Sequence, residues 1–383
     1  MDRRSFLLAT GTLALSQLLI GCSGNNKTQL KVQLLKGSIP GQVVNKFQKA
    51  LQPQPQLKFS PVGQIQDLYK QLQNWHKPPE SKDEQGWRRL IPWQQDQKTA
   101  IADLVTLGDY WLKSAIEQKL IQPINEPQIK QWTNLDDRWK QLVRRNDQGN
   151  LDSQGKVWAV PYRWGSTVIV YNRKKFQQLG WTPQDWSDLW RDEVRSRISL
   201  LNQPREVIGL VLKKLGKSYN TEKLDQIPEL EKELRTLNQQ VKFYSSQTYL
   251  EPLIIEDTWL AVGWSDDVIP VLASYPHLTA IIPQSGTALW ADLWVRPTGV
   301  DKDTLANQWI DFCLQPAIAK DISVLSKTNS PIAPNITSSE IQEPLRNILV
   351  NNREVFTKSE FLLPLSPSAT KEYENLFALI QKG

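Results

Sequence analysis

Apolar and polar positions alternate over Leu30, Val32 and Leu34, so 30–35 predicts a strand. Ser38 and Pro40 then open a helix that puts Val43, Val44, Phe47 and Leu51 on one face. Gln56–Val62 predicts a second strand, and a helix with Ile65, Leu68 and Leu72 follows it. Ile101–Val105 predicts a third strand, with a helix starting near Asp109. Strand and helix alternate, which predicts an α/β domain around a mostly parallel sheet. Residues 74–98 interrupt the pattern: they are polar, with Pro78-Pro79 and mixed charges, and predict an insertion or exposed loop.

The pattern changes in the second half. Two strand-like runs, 157–162 and 167–171, are joined by Arg163-Trp164-Gly165-Ser166. Helices are predicted over 204–215 and 229–240, strands over 259–264 and 291–296, and a helix near 303–315. The C-terminal 338–382 is largely helical in pattern. No repeat of fixed period is visible.

The N-terminus reads differently from all of this. Arg3-Arg4 precede an apolar run to Ile20 that is too short and interrupted to span a bilayer. It predicts a secretory signal over 1–21, and Arg3-Arg4 with Phe6-Leu7 resembles a twin-Arg export signal. The run ends in Leu19-Ile20-Gly21-Cys22, which resembles the lipobox of bacterial lipoproteins. The Cys22 thiol would take the lipid, and the small Gly21 would let a peptidase reach the bond before it. Residues 22–29 then form the lipidated Cys and a flexible tether. The alternative is a plain signal peptide with a chance cysteine.

Composition narrows the function. The 383 residues carry 46 basic and 40 acidic side chains, net +6, too mild an excess to argue for nucleic acid. Removing Asp2, Arg3 and Arg4 with the signal brings that to about +5. Two Cys and two His, far apart, exclude both a disulfide framework and a zinc site of the usual kind. Cys313, between Phe312 and Leu314, reads as a small core hydrophobe. There is no Gly-rich phosphate loop, no G-x-S-x-G elbow and no H-E-x-x-H, so no enzyme, metal or cofactor is expected. Asp136-Asp137 and Asp266-Asp267 read as solvated caps. Sixteen Trp exceed what core filling alone is expected to need.

Four stretches place aromatics beside polar or acidic residues at predicted strand ends. They are Gly108-Asp109-Tyr110-Trp111, Val262 to Asp266, Leu289 to Leu293, and Asn202 to Glu206. Ligands in open α/β sheets sit beyond the carboxyl ends of strands. In Trp290-Ala291-Asp292, positions i and i+2 of an extended stretch point the same way. One indole face and one carboxylate would then line one wall. That suits an alkylamine, whose CH₂ groups stack on rings while its ammonium meets an acid.

The chain resembles the spermidine/putrescine-binding proteins of ABC importers, within the periplasmic solute-binding superfamily. The resemblance rests on Val160-Pro161-Tyr162-Arg163-Trp164-Gly165-Ser166-Thr167, Trp186-Ser187-Asp188-Leu189-Trp190, Pro204-Arg205-Glu206-Val207, Val262-Gly263-Trp264 and Pro283–Pro297. Ile310-Asp311-Phe312 with Leu314, Pro316 and Ala319, then Pro331–Asn335, complete it. In order and spacing it covers nearly the whole mature chain except 74–98.

The resemblance implies an α/β, two-lobed periplasmic binding protein fold with hinge strands between two α/β domains. Lobe 1 would take 30–158 plus 291–335 and lobe 2 would take 159–290 plus 336–383, with crossings near 158–163, 289–294 and 333–340. It further implies that Tyr110 and Ser245 are pocket hydroxyls, that Trp264 and Trp290 are aromatic walls, and that Asp292 and Glu206 are ammonium acceptors. Two departures stand out: Gln203 where the family has an acid, and Gly37-Ser38-Ile39 where it has an aromatic. Each weakens a di- or triamine pocket, since losing an anion removes a charge-assisted hydrogen bond.

The expectation is a monomeric, lipid-anchored binding protein that delivers a polyamine to a permease. The alternatives are another solute on the same scaffold (sugar, amino acid or anion) or a lipoprotein without a transport role. Both Asp292 and Glu206 in one pocket would favour a cation. Arg163 or Arg205 in their place would favour an anion.

Overall fold

The computed structural model describes residues 29–76, 101–300, 304–332, 345–349 and 353–382. The signal, Cys22, most of the 74–98 loop and the expected third crossing lie outside the described residues. Among the described residues no helix is long and apolar enough to cross a membrane.

Among the described residues thirteen strands follow in chain order. β1 (Gln29–Leu35), β2 (Gln56–Val62) and β3 (Leu104–Gly108) come first. Three two-residue strands follow: β4 (Ile121–Gln122), β5 (Arg144–Arg145) and β6 (Lys156–Val157). Then come β7 (Val160–Asn172), β8 (Ile198–Leu200), β9 (Val241–Tyr244) and β10 (Leu260–Trp264). β11 (Leu278–Ile281), β12 (Ala288–Pro297) and β13 (Glu360–Phe361) complete the set. The main sheet runs β2-β1-β3-β12-β7-β10-β8-β9.

Within each flank the strands are parallel, as the alternating pattern predicts: β2, β1 and β3 on one side, β10, β8 and β9 on the other. The mostly parallel expectation fails in the middle. β12 is antiparallel to both β3 and β7, and β7 is antiparallel to β10.

Three apolar clusters show why the sheet has two ends. The first contains β1, β3 and the buried residues of β7 only up to Trp164, with β12 from Leu289 to Val295. The second takes Ile169 and Tyr171 of β7 together with Ile208, Leu234 and Phe377. The third takes Val168 and Val170, with Leu253 and Leu272. Alternate residues of β7 therefore enter cores on opposite faces, as both faces of a covered sheet require. Gly165, Ser166 and Thr167 belong to none of the three, and this is where β7 passes from one lobe to the other.

Several strand boundaries differ from expectation; the strand expected over 291–296 runs Ala288–Pro297. The third strand begins at Leu104, not Ile101. Asp103 is instead locked across to Lys31: its amide donates to the Lys31 carbonyl at 2.8 Å, and its carboxylate accepts the Lys31 amide at 2.7 Å. Arg163–Ser166 is not a connector but the middle of a thirteen-residue strand. Its backbone pairs with β12 from Ser166↔Leu289 to Arg163↔Asp292.

The tryptophan excess also has a plainer outlet than expected. Trp132, Trp139, Trp158, Trp164, Trp186, Trp294 and Trp309 are buried. Trp294 stacks on Tyr162 with ring centroids 4.2 Å apart, and Trp309 meets Phe47 and Phe59 edge-on. Core filling accounts for these seven. Cys313 is buried and free, and burial pushes its thiol well up.

Candidate functional site

The crossing segment carries a row of side chains on one face. Antiparallel partners share a face, so Arg163, Gly165 and Thr167 of β7 line up with Asp292 and Trp290 of β12 and with Trp264 of β10. Two glycines make room for neighbouring aromatic rings. A Cβ on Gly165 would lie 2.1 Å from Trp290 Cζ2, so the missing side chain is what lets Trp290 lie across β7. A Cβ on Gly263 would lie 1.9 Å from Tyr249 Cε2. The Tyr249 ring fills that space, and its hydroxyl accepts the Trp264 amide at 3.2 Å while bonding Asp267 at 3.1 Å.

Glu206 lies in the first turn of the helix Pro204–Lys214, where Pro suits a position without an amide partner. Its carboxylate accepts the Thr167 hydroxyl at 2.9 Å and the Trp264 indole N–H at 2.9 Å. The expected pair Trp264 and Glu206 is thus in direct contact. Burial raises the Glu206 carboxyl above its ordinary range, and the two donors only partly oppose that.

Asp292 is buried and already engaged. Arg163 Nε donates to its Oδ2 at 2.5 Å, and Arg163 Nη2 donates to Asp266 Oδ2 at 3.4 Å. Burial pulls the guanidinium down, but Asp292 and then Asp266 outweigh it and hold its proton more firmly than usual. Burial pushes the Asp292 carboxyl up against the opposing pull of Arg163. Asp266, read from sequence as a solvated cap, instead faces the centre of this row. Burial lifts its carboxyl to about 6, with Arg163 opposing.

Asp109 completes the acids. It accepts the Ala291 amide at 3.0 Å, between the Trp290 and Asp292 positions of β12. Burial lifts its carboxyl to about 7 despite that bond, and Asp292 adds to the rise.

Three expected residues make no side-chain hydrogen bond to this row among the described residues. Tyr110 is 56% exposed, beside Asp109. Gln203 is exposed at the residue before the Pro204 helix, with no side-chain cap bond. The Ser245 hydroxyl is used in its own turn, accepting the Gln247 and Thr248 amides and bonding the Thr248 hydroxyl. Sequence reasoning did not single out Thr167, weighed Arg163 only as a replacement that would favour an anion, and had Asp266 both in a candidate stretch and as a cap. The signal was there for Arg163: a charge inside an otherwise apolar strand run is costly unless paired.

On the opposite face of the same strands lies a cavity of about 460 Å³, lined by Trp164, Ser166, Leu289 and Phe356 among others. Among the described residues no cluster of three or more His, Cys, Asp or Glu could hold a metal.

The family profile of bacterial extracellular solute-binding proteins matches residues 99–348. The chain belongs to this family. The solute-binding protein is 26% identical over 247 residues to the spermidine/putrescine-binding periplasmic protein of Salmonella typhimurium, covering 64% of this chain and 67% of that one. It is 27% identical over 259 residues to a putrescine-binding periplasmic protein of Escherichia coli, covering 63% and 68%. Among solved structures, the spermidine/putrescine ABC transporter substrate-binding protein of Streptococcus pneumoniae matches with a TM-score of 0.74 at 19% identity. That match covers 93% of this chain and 99% of the other, and it establishes the shared two-lobed fold. The solute-binding protein thus sits among binding proteins rather than enzymes, and among proteins that work outside the cytoplasm.

Proposed function

We propose that this protein is the solute receptor of an ABC importer and that it holds an aliphatic amine of the polyamine class between its lobes. The observation that carries the reading is the charge of the crossing row. Arg163 stands among Asp292, Asp266, Asp109 and Glu206, while Arg145 acts on Asp109 and Arg205 on Glu206. Burial raises all four carboxyls, and the four acids outnumber these three guanidiniums, which leaves the site short of positive charge. An ammonium would relieve that shortage, and the Trp264 and Trp290 indoles supply faces for its methylenes. The relatives named above are spermidine- and putrescine-binding proteins, which supports the reading. An anion finds less here, because Arg163 is already neutralised by two carboxylates.

The lobes follow the division expected from sequence, 30–158 with 291–335 and 159–290 with 336–383, except that β7 crosses at Gly165–Thr167, and they hinge on β7 and β12. Ligand touching both lobes only when they close would shift the population toward the closed form. Tyr110, Gln203 and Ser245 would join the site on closure. A twin-Arg signal over 1–21 exports the chain, and lipid on Cys22 anchors it as a monomer within reach of the permease.

The test is calorimetry of the mature chain against putrescine, spermidine, a sugar panel and amino acids. Heat with an amine is the expected result. Heat only with sugars or amino acids, or no heat at millimolar amine, removes the amine assignment.

A further inference from the structure

Arg163 stands where an incoming ammonium would need to stand. Its Nε holds Asp292 at 2.5 Å, its Nη2 reaches Asp266 at 3.4 Å, and its Cζ lies 5.6 Å from the centre of the Trp290 ring. The Arg163 and Asp292 side chains are 5% and 3% exposed, so this positive charge is fixed in place. Asp292 and Asp266 are already shared with this cation, so a second ammonium beside it finds no carboxylate left to itself.

Two polar atoms around the same guanidinium are buried without a hydrogen-bond partner: Asp266 Oδ1, an acceptor, and the Trp290 indole N–H, a donor. An ammonium can only donate, so it leaves the indole unsatisfied. A hydroxyl or a secondary amide both donates and accepts and can serve the two together. At the far end of the row Glu206 has only neutral donors, Thr167 and Trp264. Among the described residues it makes no ion pair.

We infer that Arg163 is a resident cation that sets specificity. The cleft takes an amine with one ammonium, placed against Glu206 and Trp264, whose other end is a neutral hydroxyl or amide set between Asp266 and Trp290. This rests on the reading of the cleft as an amine site. Amino alcohols and monoacylated diamines share the required chemistry, and a free diamine lacks it.

The test is calorimetry of the mature chain with putrescine, N-acetylputrescine and 4-amino-1-butanol, using wild type, Arg163→Met and Arg163→Lys. Wild type should bind one of the two single-ammonium ligands about tenfold or more tighter than putrescine. Whichever of them is tighter tells amide from hydroxyl. Arg163→Met should shift the affinity ratio by about tenfold or more toward putrescine, and Arg163→Lys should keep the wild-type order. Wild type that favours putrescine or shows no preference overturns the inference while leaving the amine reading intact, as does a ratio unmoved by Arg163→Met. Should Arg163→Met fail to fold, the wild-type order and the Arg163→Met/Asp292→Asn pair, which removes both charges, decide the matter. That pair should lose the wild-type discrimination against putrescine, and a retained discrimination counts against Arg163. Absence of binding by every amine fails the amine reading itself, and this inference with it.

Discussion

Gly165 on β7 and Trp290 on β12 are register partners, and the indole occupies the space a side chain at 165 would need. A Cβ there would come within 2.1 Å of Trp290 Cζ2 and 2.3 Å of Ser265 Oγ. Gly165→Ala must therefore displace the ring or the neighbouring hydroxyl. Overpacking of this kind costs about 1–3 kcal/mol. Urea unfolding should show that loss, and near-UV circular dichroism should show a changed tryptophan signal. An unchanged midpoint and spectrum would mean that Trp290 does not lie across β7.

Glu206→Gln tests the ammonium acceptor with little disturbance of the fold. The amide can still bond Thr167 and leave an oxygen for the Trp264 N–H, so stability should hold near the wild-type value. Losing the charge removes a charge-assisted hydrogen bond worth about 1.5–3 kcal/mol. Amine affinity should therefore fall by about tenfold to a hundredfold in calorimetry. Affinity within a factor of about two of wild type would take Glu206 out of the site.

Asp109 should make the unliganded protein less stable as pH rises. Its folded value is about 7 against an ordinary 3.8, so between those values the folded state holds a proton that the unfolded chain has lost. Stability rises with pH only where the unfolded state binds more protons, so here the sign is negative. The contribution is favourable below the unfolded value and erodes as pH climbs to about 7. Asp109→Asn keeps an oxygen for the Ala291 amide and removes the titration. Its stability relative to wild type should climb between pH 4 and 7, then level off. A pH-independent difference between the two proteins in urea unfolding would contradict the buried, titrating Asp109.

Asp292→Asn should act first on stability, because the carboxylate is paired inside the protein. Breaking a buried ion pair from one side costs about 3–5 kcal/mol, since the other charge stays behind. Removing both charges as Arg163→Met/Asp292→Asn should restore a good part of the loss. Urea unfolding of the two single variants and the pair closes the cycle. A single-variant loss below about 1 kcal/mol would mean the pair is solvated.

Much of the fold was legible because its signals are local. β1 and β2 and the Pro204 and Leu230 helices lie within a residue or so of where alternation and helical periodicity put them. The crossing row was harder for a physical reason. Arg163, Gly165 and Ser166 read locally as a connector, and Gly165 is needed because residues 125 and 100 positions away in the chain, Trp290 and Ser265, lie against it. Asp266 next to Asp267 read as a cap because nothing nearby in sequence reveals Arg163, 103 residues away. Trp264, Glu206, Trp290 and Asp292 were legible as chemistry, but their partners were not. That Asp292 is held by Arg163 follows only from the register of β7 on β12.

A crystal structure of the mature chain saturated with the tightest-binding amine of the calorimetric panel tests the central claim most directly. The account predicts an ammonium within about 3 Å of the Glu206 carboxylate, with the alkyl chain against Trp264 and Trp290 on the Arg163–Gly165–Thr167 face. An amine bound instead in the cavity behind the strands, beside Trp164 and Ser166, would contradict it, as would an amine whose nitrogen meets none of the four acids.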